Sequence, residues 1–341
     1  MRVLVTGHTG FKGAWLSLWL REQGHQVGGY ALEPEEGSLF GRIDATSVLD
    51  LDCRGDIRAS ERVRACIEGF APEAIIHMAA QSLVRRSYVD PRWTVETNVL
   101  GTLSVLEAAS VVESVQACVV VTTDKVYRNV GKVEGYVEDD PLGGRDPYSA
   151  SKAMADILTS AWAASTAGTS LASARAGNVI GGGDVSSDRL LPDVVRAVDA
   201  NTPVTLRFPE AVRPWQHVLD CLAGYTTLVE ALLQGEGAGS WNFGPSPEAF
   251  RSVRETVELA FEEWGSNPGW IRDPQVNPHE EVLLTLDASR ARKELGWRDR
   301  LDYESAVRWT VEWERRVRAG ESPLDVTREQ IQQYEALGTS A

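Results

Sequence analysis

The chain has 341 residues, a length for two domains or one large one. Asp and Glu number 49 against 34 Lys and Arg, a formal net charge of −15. That excludes a general nucleic-acid binder, which needs a broad basic surface to release counterions. A hydrophobic fraction of 43% supplies a large core and excludes extended disorder. An anionic small molecule stays possible, because a few arginines and backbone amides can hold one against the global charge. No apolar run reaches the ~18 residues of a membrane span. The start, Met1-Arg2-Val3-Leu4-Val5, reads as a strand and not as a cleavable leader. Cys53, Cys66, Cys118 and Cys221 share no metal-ligand spacing, so four reduced thiols in a cytoplasmic protein are expected. The five histidines show no paired spacing either, and no metal site is expected.

In chain order, residues 2–6 form an apolar strand and 12–22 a helix bearing Trp15, Leu16, Trp19 and Leu20. A strand at 26–30, a helix at 60–70 and a strand at 74–78 follow. A long helix spans 93–110, a fully apolar strand 116–122 and another long helix 147–165. Residues 170–175 and 204–206 are further strands. Near-continuous apolar strands alternating with helices imply a parallel sheet covered on both faces. The pattern loosens after Gly177, with loop signals at Gly181-Gly182-Gly183 and Asn201-Thr202-Pro203. Helices are expected at 219–234, 253–264, 287–295 and 303–318, with a short strand at 241–243. Thr327-Arg328-Glu329-Gln330 has a capping-box pattern and is expected to start a last helix. The fold class is α/β: a doubly wound parallel Rossmann sheet with a smaller mixed α/β C-terminal lobe. Residues 1–177 make the first part and 178–341 mainly the second, with some strands returning to the sheet.

Gly7-His8-Thr9-Gly10-Phe11-Lys12-Gly13 lies between the first strand and the first helix. The first glycine permits the tight turn, the second lets backbone approach a pyrophosphate, and the third allows close helix–sheet packing. Strand before and helix after satisfy the context test for a dinucleotide fingerprint. The nearest acid beyond the second strand is Glu33, and no Arg stands between Gly24 and Phe40. NAD is therefore favoured over NADP. Lys12 is read as a solvated first-turn residue. Asp56 and Ile57 lie where such folds touch adenine, or else Asp56 is a turn acid.

Tyr148 and Lys152 stand at i and i+4 on the helix that starts after Pro147, so both share one face. A Lys ammonium beside a phenol lowers its pKa from ~10 and makes a base for a hydroxyl proton. The pattern alone is common on helix surfaces. Here it follows a nucleotide fingerprint and a strand ending in Thr122-Thr123-Asp124-Lys125. Carboxyl ends of parallel strands are where ligands bind in this fold. Thr123 would hydrogen-bond the reacting hydroxyl, and Asp124 and Lys125 supply an acid and a base beside it. The bland alternative is a capped turn.

These residues resemble the extended short-chain dehydrogenase/reductase family over almost the whole chain. The similarity is carried by Gly7–Gly13, by His77-Met78-Ala79-Ala80-Gln81-Ser82, by Asn98-Val99-Leu100-Gly101-Thr102 and by Tyr148 with Lys152. Longer strings narrow it: 7–20, 80–88, 140–152, 175–184 and Arg213-Pro214-Trp215-Gln216-His217-Val218-Leu219. Together they resemble the CDP-glucose 4,6-dehydratase branch, where Asp-Lys stands in place of the Asp-Glu of the dTDP-glucose enzymes. The stretch 128–138 departs from the family strings.

The resemblance implies NAD as cofactor, with Gly7, Thr9, Gly10, Phe11, Lys12, Gly13, Asp56, Ile57, Ala79, Ala80, Gln81, Asn98, Thr122, Tyr148 and Lys152 around it. It implies a nucleotide-sugar substrate touched by Ser82, Arg85, Asn178, Arg189, Arg213 and His279. Thr123, Asp124, Lys125, Tyr148 and Lys152 are then catalytic. The reaction is C4 oxidation, loss of water across C5 and C6, and hydride return to C6. Asp124 is the acid for C6, and Lys125 the candidate base at C5 or a group that positions the sugar. His77 reads as a packed strand-end residue. His217 could touch substrate, and Trp215 could line the nucleotide pocket or the core. Arg86 reads equally as a surface ion pair. A homodimer or dimer of dimers is implied, joined through helices 93–110 and 147–165, whose apolar positions could equally be core. Neither nucleic acid nor membrane is an expected partner. The competing functions are a nucleotide-sugar 4-epimerase, which needs no acid for C6, a dehydratase on another nucleotide hexose, and a non-enzymatic dinucleotide sensor, which tends to lose the Tyr/Lys pair.

Overall fold

A computed structural model describes residues 1–275 and 283–339. The first part alternates β1 (Arg2–Thr6), α1 (Phe11–Glu22), β2 (Gln26–Ala31), α2 (Leu39–Arg42), β3 (Leu51–Arg54), α3 (Ser60–Phe70) and β4 (Ala74–His77). Short helices α4 (Val84–Val89) and α5 (Pro91–Val95) lead through a π-helical turn at Glu96–Leu100 into α6 (Gly101–Val111). β5 (Ala117–Val121), α7 (Pro147–Ser165) and β6 (Ser170–Ala176) follow. The long helix expected at 93–110 is thus interrupted. Pi-helical turns often mark functional sites, and this one carries Asn98.

Beyond residue 177 come β7 (Asn178–Ile180), α8 (Leu190–Ala200), β8 (Val204–Leu206), β9 (Val212–His217), α9 (Val218–Leu233) and β10 (Gly239–Phe243). Then follow β11 (Phe250–Ser252), α10 (Val253–Trp264), β12 (Trp270–Arg272), α11 (Ser289–Glu294), α12 (Tyr303–Arg318) and α13 (Pro323–Thr339). The central sheet has seven parallel strands in the order β10-β6-β5-β4-β1-β2-β3. Strand order reverses beside β1, between β2 and β4, and the carboxyl ends there open toward ligand. A three-stranded sheet, β11-β9-β7, and the pair β12-β8 belong to the second part. β10 comes from the second part and closes the edge of the central sheet.

One core lies under α1 and α9 on one face of the sheet, around Trp15, Leu16, Trp19, Leu222 and Phe243. A second lies under α3 and α6 on the other face, around Ile67, Ile75, Val105 and Leu106. A third, around Trp215, Val257, Phe261 and Val307, holds the second part together.

Two expectations are corrected here. Cys53 on β3 and Cys66 on α3 are joined as a disulfide, with their Cα atoms 6.5 Å apart, so only Cys118 and Cys221 are free thiols. The turn between β3 and α3 brings the two together, which spacing alone does not reveal. The last helix starts at Pro323 and not at Thr327. Thr327 sits inside it, its hydroxyl donating to Pro323 O and accepting from Trp313 Nε1, so it is a core hydrogen-bonding residue and no cap.

Candidate active site

Gly7 leaves β1 with φ +77°, a conformation that favours glycine, and its N–H donates to Tyr30 O at 2.9 Å. A Cβ on Gly7 would stand 2.8 Å from Ala79 N, and one on Gly13 would stand 2.2 Å from Gly7 O. Both positions are closed to any side chain. A Cβ on Gly10 would meet nothing nearer than Gly7 O at 3.4 Å, so that face of the turn is open. No side chain caps the first turn of α1, and its N–H groups stay available. A bare helix N-terminus behind a turn with one open face fits a dinucleotide pyrophosphate.

The rest of the cofactor wall is held by side chains that spend their polar atoms on the protein. Thr9 Oγ1 donates to Leu32 O at 3.1 Å. Asn98 Oδ1 accepts from Gln81 N at 2.8 Å, while Nδ2 donates to Gln81 O and to Ser151 Oγ. Asn98 therefore fixes the 79–82 segment against α7. Gln81 turns its amide to Leu83 and Thr94. Ala79 and Ala80 are half-buried and Ser82 is exposed at the mouth. Asp56 is engaged by the Arg58 guanidinium, which draws its carboxyl below the usual range, and Ile57 is buried against Gly101.

At the end of β5, Thr123 caps a short 3₁₀ turn over Asp124–Val126. Its hydroxyl donates to Asp124 Oδ1 at 2.9 Å and is hydrogen-bonded with the Tyr148 phenol. Tyr148 is presented by α7, whose start is fixed by Pro147 and by Asp146 accepting from Ser149 N at 2.9 Å. Thr123, Asp124 and Tyr148 thus converge. Asp124 is 1% exposed, and burial raises its carboxyl pKa while the Lys125 and Arg213 charges pull it back. Its Oδ2 has no hydrogen-bond partner among the described residues. A Cβ on Gly177 would lie 3.3 Å from that oxygen, so the glycine keeps the space before it clear. A buried carboxyl with one bare oxygen beside a phenol and a hydroxyl can donate a proton to a bound group.

Lys152 Nζ donates to Val121 O at 2.9 Å. Burial, with the Lys12 charge adding to it, lowers the ammonium to about 7. Burial pushes the Tyr148 phenol up to about 12, opposed by Thr123 and Arg189. The expected lowering of the phenol by Lys152 is absent from this arrangement, because the ammonium is turned to the β5 carbonyl.

A family model described as GDP-mannose 4,6 dehydratase matches residues 4–310. The chain belongs to this family. It is 43% identical to the CDP-glucose 4,6-dehydratase of Salmonella typhimurium, over 99% of this chain and 97% of that one. It is 28% identical to a dTDP-glucose 4,6-dehydratase of Xanthomonas campestris, over 91% and 92%. Among solved structures it is similar to DesIV, a dTDP-glucose 4,6-dehydratase from Streptomyces venezuelae with NAD and TYD bound: TM-score 0.81, 26% identity, 95% of this chain and 100% of that one. A UDP-glucose 4-epimerase from Thermus thermophilus in complex with NAD gives TM-score 0.80 at 27% identity, over 92% and 99%.

Within this dehydratase-family fold several sequence expectations need correction. Lys12 is no solvated residue: its Nζ donates to the buried Tyr225 hydroxyl at 3.1 Å and lies over that ring, and burial lowers its pKa. Thr122 donates its hydroxyl to the buried Asp156 Oδ2 at 3.0 Å. His217 is fully buried between Trp15 and Trp309, with Nδ1 accepting from Leu219 N and burial holding it near 3, so it does not face substrate. Trp215 belongs to the core of the second part, its Nε1 donating to Arg251 O. His77 is the packed strand-end residue expected, held between Thr6 and Thr102. Arg86 stacks over the Trp93 ring. His279 lies outside the described residues. Phe11 opens α1, and Asn178 stands opposite Trp215 on β7. Arg213 is buried and its charge is felt at Asp124. Arg189 precedes α8, and its charge is felt at Tyr148.

Two groups escape the motif search. Asp156 and Arg175 form a buried two-pronged ion pair at 2.7 and 2.9 Å, joined by Thr122, Tyr127 and Ser240. Asp156 is four residues past Lys152, so following the Tyr148/Lys152 face one more turn finds it. His8, within the glycine loop, pairs through Nε2 with Asp52, which also holds Arg54 beside the end of β2. These partners come from β3, a short edge strand that breaks the apolar pattern.

Proposed function

We propose that this protein is an NAD-dependent CDP-glucose 4,6-dehydratase that forms the 4-keto-6-deoxy sugar nucleotide. The observation that carries the reading is Asp124, a buried carboxyl with one bare oxygen beside Thr123 and Tyr148. An epimerase has no leaving hydroxyl to protonate, whereas a dehydratase must protonate the C6 oxygen. The near-full-length similarity to a CDP-glucose enzyme supports the base and sugar.

Gly7, Gly10 and the α1 N-terminus would hold the pyrophosphate of NAD, which would supply the hydride acceptor for C4 and the hydride donor for C6. Tyr148 removes the C4 hydroxyl proton, with Thr123 orienting that hydroxyl. The resulting ketone acidifies C5–H. Lys125 stands beside Asp124 as the base for that proton, Asp124 protonates the departing C6 hydroxyl, and Lys125 gives the proton back to C5 as hydride reaches C6. Arg85, Arg189, Arg213, Asn178, Ser82 and His279 take the nucleotide and sugar. We divide the chain into a cofactor part, 1–177, and a mainly substrate part, 178–341. The anionic substrate is confined by its charge to the compartment that makes it, which we take to be the cytoplasm.

The test is incubation with CDP-, dTDP-, UDP- and GDP-linked hexoses, followed by mass spectrometry. Loss of one water from CDP-glucose is expected. An isomerised sugar of unchanged mass overturns the dehydratase, and water loss only from another nucleotide moves the substrate.

We also propose a homodimer through α6 and α7. Val111, Met154 and Ile157 on these helices, with Leu100 just before α6, are exposed apolar side chains. Ile157→Asp is expected to convert a dimer into a monomer in analytical ultracentrifugation. A monomeric wild type, or a variant that stays dimeric, rejects this interface.

A further inference from the structure

The loop between β7 and α8 contains Asp188, a non-glycine residue at φ +60°. Aspartate is among the few residues that adopt this left-handed conformation readily. Two arginines from opposite parts of the molecule meet its side chain there. Arg85, on α4, donates through Nη1 to Asp188 Oδ1 at 3.0 Å. Arg207, just past β8, reaches the same oxygen at 3.3 Å and the Asp188 carbonyl at 3.5 Å. One carboxylate oxygen therefore serves two guanidiniums and ties the cofactor part to the substrate part. The neighbouring Arg189 stands near enough to the catalytic residues for its charge to be felt at Tyr148 and Lys12. Its Nε is buried without a hydrogen-bond partner among the described residues, and the Asp184 carboxylate stands 3.9 Å away.

We infer that Asp188 is a resident counter-anion: it holds Arg85 and Arg207 across the mouth of the site and yields them to the diphosphate of the entering nucleotide sugar. This rests on the nucleotide-sugar reading above. The exchange is chemically direct. An exposed carboxylate–guanidinium pair is worth little in water, so little opposes its release. A diphosphate offers more charge and more acceptor oxygens, and guanidinium pairs with phosphate oxygens in the same forked geometry as with carboxylate. In a chain of net charge −15, a self-screened arginine pair also avoids capturing stray anions. Asp188 then sets substrate affinity by competition, and Arg207 joins Arg85 and Arg189 as a ligand for the diphosphate.

The experiment is calorimetric titration of the NAD-loaded full chain with CDP, and separately with cytidine. Asp188→Asn is expected to bind CDP about fivefold more tightly, the scale of one exposed ion pair, and cytidine unchanged. Combining it with Arg85→Gln and Arg207→Gln is expected to abolish the gain, because the gain passes through those two side chains. A gain that survives in the triple variant is a long-range field effect and overturns the exchange. Equal or weaker CDP binding by Asp188→Asn, or an equal gain for cytidine, overturns it too. Should Asp188→Asn fail to fold, Arg207→Gln alone decides: CDP about fivefold weaker with cytidine unchanged is expected, and unchanged CDP rejects the clasp. Repeating the titration with dTDP and UDP separates the two readings. An Asp188 effect on those nucleotides without recognition of CDP removes the cytosine assignment and leaves the clasp standing.

Discussion

Tyr148→Phe lowers kcat by about 10²–10⁴-fold, the range contributed by a positioned acid–base group, while CDP binding is retained. The pH profile shows how the group works. In the ligand-free protein the phenol is raised to about 12 and the Lys152 ammonium lowered to about 7. Lys152 therefore loses its proton first, and the neutral amine, one turn along α7, can then take the phenol proton as Tyr148 receives one from the C4 hydroxyl. Activity is therefore expected to rise with pH through about 7, since the base form is the one with a proton missing. Lys152→Met removes the group that titrates there and leaves the phenol alone near 12. Its rising limb moves up and out of the neutral range, which stopped-flow rates in a pH series would record. A Lys152→Met limb still near neutrality would show that Lys152 does not hold the working proton.

Asp124→Asn separates the two halves of the reaction. Asparagine keeps the shape and can still accept from Thr123, but it cannot give the bare oxygen's proton to a leaving hydroxyl. Water loss is expected to fall by about 10²–10⁴-fold. Oxidation at C4 depends on Tyr148 and should continue, so C5–H should still exchange with deuterated solvent, as mass spectrometry of recovered substrate would show. Loss of exchange together with water loss would mean that Asp124 serves the first step. Wild-type water loss in the variant would remove it from the acid role.

Much of the frame behind these predictions was legible in the residues. Helices at 147–165, 253–264 and 303–318 match their patterns because each has a proline or side-chain cap at its start and a strong apolar stripe. β9 was not legible, because Pro214 argues against a strand with a neighbour on each side. In the site, the Tyr148/Lys152 face and the strand-end Thr123-Asp124 could be read locally. Lys12 could not, since first-turn position suggests solvent and only packing against α9 buries it. His217 misled because a strand has two faces and sequence does not say which one meets the cleft, and the same ambiguity left Trp215 open between pocket and core. The direction taken by the Lys152 ammonium depends on the β5 carbonyl, a backbone atom with no signature in sequence.

The last helix has a consequence for biosynthesis. Trp19 on α1 donates its indole N–H to Glu335 at 2.8 Å and packs edge-on against Tyr334, while Tyr334 in turn donates to Asp220. The helix that follows the glycine loop therefore receives part of its cover from residues more than 300 positions downstream. A nascent chain can pair its early strands on the ribosome, yet the outer side of α1 stays bare until the final turns have been synthesised. Contacts this distant in sequence slow closure and lengthen the exposure of apolar surface. Chaperone demand should therefore last until α13 has emerged, and a ribosome stalled before residue 323 should carry a chain whose first helix is still open to protease.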